Sequence, residues 1–240
     1  MKKLLIILLL PVSIWAQATD TLYLQNTTDV EDTYLSTAGP DYNYGAAIAG
    51  GGLALDSVPN YYTHVLIRVK NLSDSLPANA VIDSCGCNLY ITSLGGDPIY
   101  AYRLLKPWVE GTQTEGTSPP GATWNDWDND DYEWGTAGAQ NASDDGTDNS
   151  GDGSDYDRWA TASGTIATTT DDAYNNLVLP DSLCQKWYDG TYNENGVFLV
   201  TDVSGDGFAN SSEAASNQPQ WYFVYHTATA GEKTWPFGKH

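Results

Sequence analysis

Short runs in which apolar and polar side chains alternate recur along most of this chain, and a period of two is the spacing of a half-buried β-strand. Val65, Ile67 and Val69 fall on one side of such a run, with Leu66, Arg68 and Lys70 on the other. Cys85, Cys87, Leu89 and Ile91 form a second face, and Trp221, Phe223 and Tyr225 alternate with Tyr222, Val224 and His226 in a third run. Residues 196–200, Gly-Val-Phe-Leu-Val, read as a strand buried on both sides. Gly, Asn, Asp and Pro punctuate these runs, which is the chemistry of turns between strands. Only Asp181–Tyr188 has helical spacing, with Leu183 and Trp187 at i and i+4 and Gly190 past the end. A β-sandwich with one short helix follows.

The chain opens with Lys2 and Lys3, an apolar run over residues 4–14, and Ala16-Gln17-Ala18 as small residues for cleavage. This pattern predicts a signal peptide over 1–18, with the mature chain starting at Thr19 and exported from a bacterial cell. The apolar run is too short to cross a bilayer, and no later run is long or apolar enough, so no membrane span is expected. The formal charge is −21, and loss of the two leader lysines takes it to −23. Such a chain repels nucleic acid and attracts cations. Of the three cysteines, Cys85 and Cys87 share one strand face and are poor partners for each other. A bridge from either to Cys184 stays open, but three buried thiols are the preferred reading.

Between Asp126 and Asp157 lie eleven of the thirty-one acids and no Lys or Arg. That stretch cannot form core and reads as a long loop, ordered by ions because four tryptophans, at 124, 127, 134 and 159, lie in or beside it.

Several segments in fixed order resemble the DNRLRE domain family, which overlaps carbohydrate-binding module family 96. They begin with Asp32-Thr33-Tyr34-Leu35, Pro40-Asp41-Tyr42-Asn43-Tyr44-Gly45 and Val65-Leu66-Ile67-Arg68-Val69. Leu76-Pro77-Ala78, Ile82 to Tyr90, Tyr102-Arg103, Trp108, Glu110 and Thr123-Trp124-Asn125 continue the series. Trp187-Tyr188-Asp189-Gly190, Asn195-Gly196, Ser211-Ser212-Glu213 and Pro219 to Tyr225 close it. The resemblance implies an all-β, jelly-roll-like antiparallel β-sandwich over 19–227, an acidic insertion at 140–157 and a C-terminal arm at 228–240. It also implies an extracellular module that binds polysaccharides such as alginate. Members are commonly attached to extracellular enzymes or adhesins, whereas this domain is expected to stand alone.

Two acidic constellations suggest Ca²⁺. Asp202-x-Ser204-x-Asp206-Gly207 followed by Glu213 reproduces EF-hand ligand spacing, although its flanks read as strands and an acidic β-turn fits the same residues. Asp148-x-Ser150-x-Asp152-Gly153 repeats the opening inside the acidic loop, where a solvated loop is the alternative. For sugar binding, Trp127, Trp159 and Tyr132 offer aromatic faces and Asp126 and Asp128 offer hydroxyl acceptors; Trp124 and Trp134 match family positions and read as structural. The negative field favours a neutral glycan over an acidic one.

Catalysis finds little support. The three histidines, His64, His226 and His240, sit in no recognisable motif, and Arg68 and Arg103 occupy scaffold positions of the family. Two functional expectations result. One is a non-catalytic, Ca²⁺-stabilised binder of extracellular polysaccharide. The other is a structural subunit of a fibre, sheath or matrix, self-associating through edge-strand pairing of residues 21–26 or the C-terminal arm.

Overall fold

The computed structural model describes residues 18–47, 52–58, 61–118, 120–128, 132–140, 142–143, 156–157, 163–201 and 206–228. Almost all of the expected signal peptide, most of the expected acidic insertion and all but Ala228 of the expected C-terminal arm lie outside them. In chain order the first strands are β1 (Asp20–Gln25), β2 (Val30–Ser36), β3 (Gly52–Val58), β4 (Tyr61–Val69), β5 (Ala80–Ser93) and β6 (Ile99–Leu104). Then come β7 (Ala142–Ser143), β8 (Tyr156–Asp157), β9 (Gly164–Ile166), β10 (Ala173–Leu179), β11 (Val197–Val200), β12 (Asp206–Asn210) and β13 (Gln220–Thr227). Two helices accompany them, α1 (Leu72–Ser75) and α2 (Asp181–Tyr188).

The fold is an antiparallel all-β sandwich. In sheet A the long β5 pairs with β10 on one edge and with β13 and then β12 on the other. β1 extends this sheet from β13, and β3 extends it from β12. Sheet B runs β2, β4, β11 and β6, with β9 and β8 side by side on the far edge of β6. β3 and β4 form a hairpin that carries the chain from one sheet to the other. The one parallel pairing among the described residues joins β7 to β8, the two ends of the acidic insertion.

Alternation explains which side chains meet. Val65 and Ile67 of β4, Cys87 and Leu89 of β5, Val197 and Leu199 of β11, and Trp221 and Phe223 of β13 fill the main core between the sheets. Leu66 and Phe198 point the other way and are equally buried, because residues between 104 and 139 fold back over sheet B and supply Leu104, Trp108, Trp124 and Trp134 as a second core. β4 is therefore covered on both faces, where alternation alone put Leu66 outward. Trp124 and Trp134 are structural, as expected.

Two details differ from the sequence reading. A second helical turn, α1, follows β4; Asn71 at its start takes φ 54, a left-handed conformation that Asn tolerates. Moreover, the cysteines are not three thiols. Cys85 bridges Cys184, with Cα atoms 6.6 Å apart, and Cys87 alone is free and buried. Cys85 faces the side of sheet A against which Leu183 and Trp187 lay α2, so packing of the helix brings Cys184 to it.

Candidate functional site

Two features concentrate unused binding capacity. The first is a buried acidic group. Asp32 shares the inward side of β2 with Val30 and is 1% exposed. Glu110 arrives on the segment after β6, and Glu213 on the turn after β12. One carboxylate oxygen from each lies within 4.8 Å of the others, the single such group among the described residues. Gly45 permits the close approach, since a Cβ there would overlap the Glu110 carbonyl oxygen.

Hydrogen bonds fix part of this group. The Asp32 N–H donates to Glu110 Oε1 at 2.7 Å, and the Ser212 N–H donates to Asp32 Oδ2 at 2.8 Å. The Ser212 hydroxyl donates to Glu213 Oε1 at 3.1 Å. Asp32 Oδ1 and Glu213 Oε2 are buried without a partner. Burial, reinforced by the neighbouring Glu213, holds Asp32 well above the usual carboxylate range, and burial lifts Glu110 to about 8 and raises Glu213. Lys70 opposes the shifts of both glutamates, but its ammonium is held at 2.7 Å by the Thr27 carbonyl and lies 3.7 Å from Glu31.

The second feature is the outer face of sheet A. Register places Tyr23, Tyr222, Gly86 and Val178 in one row across β1, β13, β5 and β10. Gln25, Gln220, Asn88 and Asn176 form the next row. Four strands at the usual spacing make a surface ~14 Å wide. The Asn88 amide donates to Gln220 Oε1 at 3.4 Å, and the Gln25 amide donates to the Gln218 carbonyl at 3.3 Å. Tyr174 packs edge-to-face on Tyr90 with centroids 5.3 Å apart. Gly86 gives the Tyr222 ring room to lie against the sheet, since a Cβ there would sit 2.9 Å from the ring edge. Tyr23 is 58% exposed and Tyr174 46%. Neither row carries a charge, in a chain of net charge −21.

The residues singled out from sequence are scattered. Trp127 is half-buried against the second core, with its ring 4.6 Å from that of Tyr132, and its backbone N–H donates to the Tyr132 carbonyl at 2.9 Å. Thr123 donates its hydroxyl to Asp126 Oδ2 at 3.4 Å, and Asp126 forms an isolated β-bridge with Glu133. Asp128 is half-buried. Trp159, Asp148, Asp152, Asp202 and Ser204 lie outside the described residues. Asp206 opens β12 opposite Asp56, and Glu213 lies in the acidic group with Asp32 and Glu110. No family model and no curated protein matches the chain.

Both histidines among the described residues are engaged in structure. His64 is buried between Trp124 and Phe198, each 4.9 Å away between centroids, and lies 2.7 Å through Nδ1 from the Gly138 carbonyl. Burial depresses it to about 4. His226 sits 2.9 Å from Asp83.

Sequence reasoning missed Asp32 and Glu110 as possible ligands, and the tyrosine-amide face as a surface. A carboxylate at an inward position of an alternating strand was the available signal for Asp32. The rows on sheet A had none, because four segments distant in sequence contribute to each.

Proposed function

We propose that this chain is an exported, non-catalytic carbohydrate-binding protein, and that a neutral polysaccharide docks across the outer face of sheet A. The observation that carries this reading is the uncharged platform of tyrosines and amides on an otherwise strongly acidic chain. Tyr23, Tyr174 and Tyr222 supply aromatic surface for sugar rings, and Gln25, Gln220, Asn88 and Asn176 supply donors and acceptors for hydroxyls. A neutral ligand pays no repulsion against the surrounding carboxylates, whereas a uronate polymer does. The likeness to the DNRLRE family and the leader over residues 1–18 support an extracellular setting. Ca²⁺ in the stretches around Asp148 and Asp152, and around Asp202 and Asp206, belongs to the same reading as a loop-ordering ion.

The test is affinity electrophoresis through gels containing soluble neutral or acidic polysaccharides, with pull-downs on insoluble ones. Retention by at least one neutral glycan is expected, weakened about tenfold by Tyr23→Ala or Tyr174→Ala, the size of one lost aromatic contact. No retention across the panel refutes the reading. Retention lost on Tyr132→Ala but kept in the platform variants moves the site to the Trp127–Tyr132 pair.

Self-assembly is the second reading, and one observation favours it. β1 ends sheet A, and its outer edge has no strand partner among the described residues. An edge of this kind is a template for another chain. Sedimentation of concentrated protein distinguishes the readings: polymers without glycan retention favour assembly, and a retained monomer favours binding.

A further inference from the structure

We propose that Asp32, Glu110 and Glu213 form a Ca²⁺ site that clamps β2, the segment covering sheet B and the turn between β12 and β13 to one another. This inference does not depend on the glycan reading. Asp32 is 1% exposed, yet its Oδ1 has no hydrogen-bond partner, and Glu213 Oε2 has none either. A buried carboxylate oxygen left bare is costly and persists when something completes it.

The chemistry of the surroundings favours a cation as the completing group. Donors already address this group from the backbone of Asp32 and from the backbone and hydroxyl of Ser212, and each stabilises a carboxylate as an anion. What the trio lacks is countercharge. Lys70, which is felt electrostatically by both glutamates, directs its ammonium to Thr27 and Glu31. Arg68 is engaged with Glu31 through Nε at 2.7 Å and covers Trp108.

One oxygen from each carboxylate lies within 4.8 Å of the other two, a spacing that a single cation can bridge. Mg²⁺ holds its ligands closer and gives up water reluctantly, so three carboxylates fixed by separate chain segments suit it less. Three acidic oxygens leave room in a Ca²⁺ shell of six to eight for water or backbone oxygen. The ion would join residues far apart in sequence, so its binding free energy would appear directly as stability of the fold.

The experiment uses the purified full chain, stripped with chelator and then returned to about 5 mM Ca²⁺, above the ~0.1–1 mM dissociation constants of extracellular sites. Native mass spectrometry counts bound ions and thermal melting reads the stabilisation. Glu213→Gln keeps shape and is half-buried, so it folds more safely than Asp32→Asn; both are made. Asp148→Asn/Asp152→Asn and Asp202→Asn/Asp206→Asn serve as controls, since acidic loops also attract Ca²⁺. The expected result is one ion fewer in Glu213→Gln than in wild type, and a Ca²⁺-dependent rise of several degrees in Tm that is lost in Glu213→Gln and kept in the loop variants. A wild-type chain whose Tm ignores Ca²⁺ overturns the proposal. So does a Glu213→Gln chain that keeps the full shift, or a shift abolished only by the loop variants.

Discussion

Removing the Cys85–Cys184 bridge isolates one large contribution to stability, because the two sulfurs close a sequence separation of 99 residues. In the chain-entropy treatment a cross-link over 99 residues restricts the unfolded chain by about 4.7 kcal/mol at 25 °C. Domains of this kind are stable by ~5–15 kcal/mol in total, so the loss is a third or more of the whole. The folded state should survive it, since Leu183 and Trp187 still bury α2 and Trp187 still packs edge-to-face on Trp221 at 6.2 Å. The perturbation is the Cys85→Ala/Cys184→Ala double variant, which also prevents Cys87 from exchanging into the bridge. Guanidinium denaturation followed by tryptophan fluorescence is the assay, with the oxidised wild type as reference. The midpoint should fall by the equivalent of about 3–5 kcal/mol, and Tm by roughly 6–20 °C. Alkylation of unreduced protein should label one thiol, and only after unfolding, because Cys87 is fully buried. A double variant within about 0.5 kcal/mol of wild type, or three alkylated thiols in the native oxidised preparation, would falsify this account of the bridge.

Three further outcomes are expected. His64 is depressed to about 4 from an ordinary 6.5, so the unfolded chain binds more protons between those values and stability falls as pH drops from 6.5 to 4. The loss specific to His64 is about 3 kcal/mol, read as the difference between wild-type and His64→Leu denaturation profiles over that window; parallel profiles would remove the effect. Phe198→Ala opens a cavity beside His64 in the second core and should cost about 3–5 kcal/mol in chemical denaturation, whereas a cost below about 1 kcal/mol would mean the second core is loosely packed. In Gly86→Ala a Cβ would overlap the Leu177 carbonyl oxygen and press on Tyr222, lowering Tm and glycan retention together. Unchanged retention with lowered Tm would separate Tyr222 from binding.

Period-two alternation was sufficient to read the class of fold and the inward side of β5 and β13, and the i, i+4 pair Leu183 and Trp187 was sufficient to read α2. These signals are local: each depends on residues within one element, where backbone geometry alone decides which side chains share a face. Contacts between elements are another matter. Leu66 alternates outward yet is buried, because residues around Trp108 and Trp134 return over sheet B. Cys184 meets Cys85 and not Cys87 through the seating of α2, which no spacing along the chain encodes. Asp32, Glu110 and Glu213 read as unrelated acids, and Glu213 was grouped with Asp202 and Asp206 by EF-hand spacing. The turn after β12 puts it beside Asp32, through Ser212, instead. The rows of tyrosine and amide on sheet A likewise come from the register of β1, β13, β5 and β10. Side-chain periodicity is written into each segment by its own residues, but register and the approach of distant loops are settled only when the whole core packs at once.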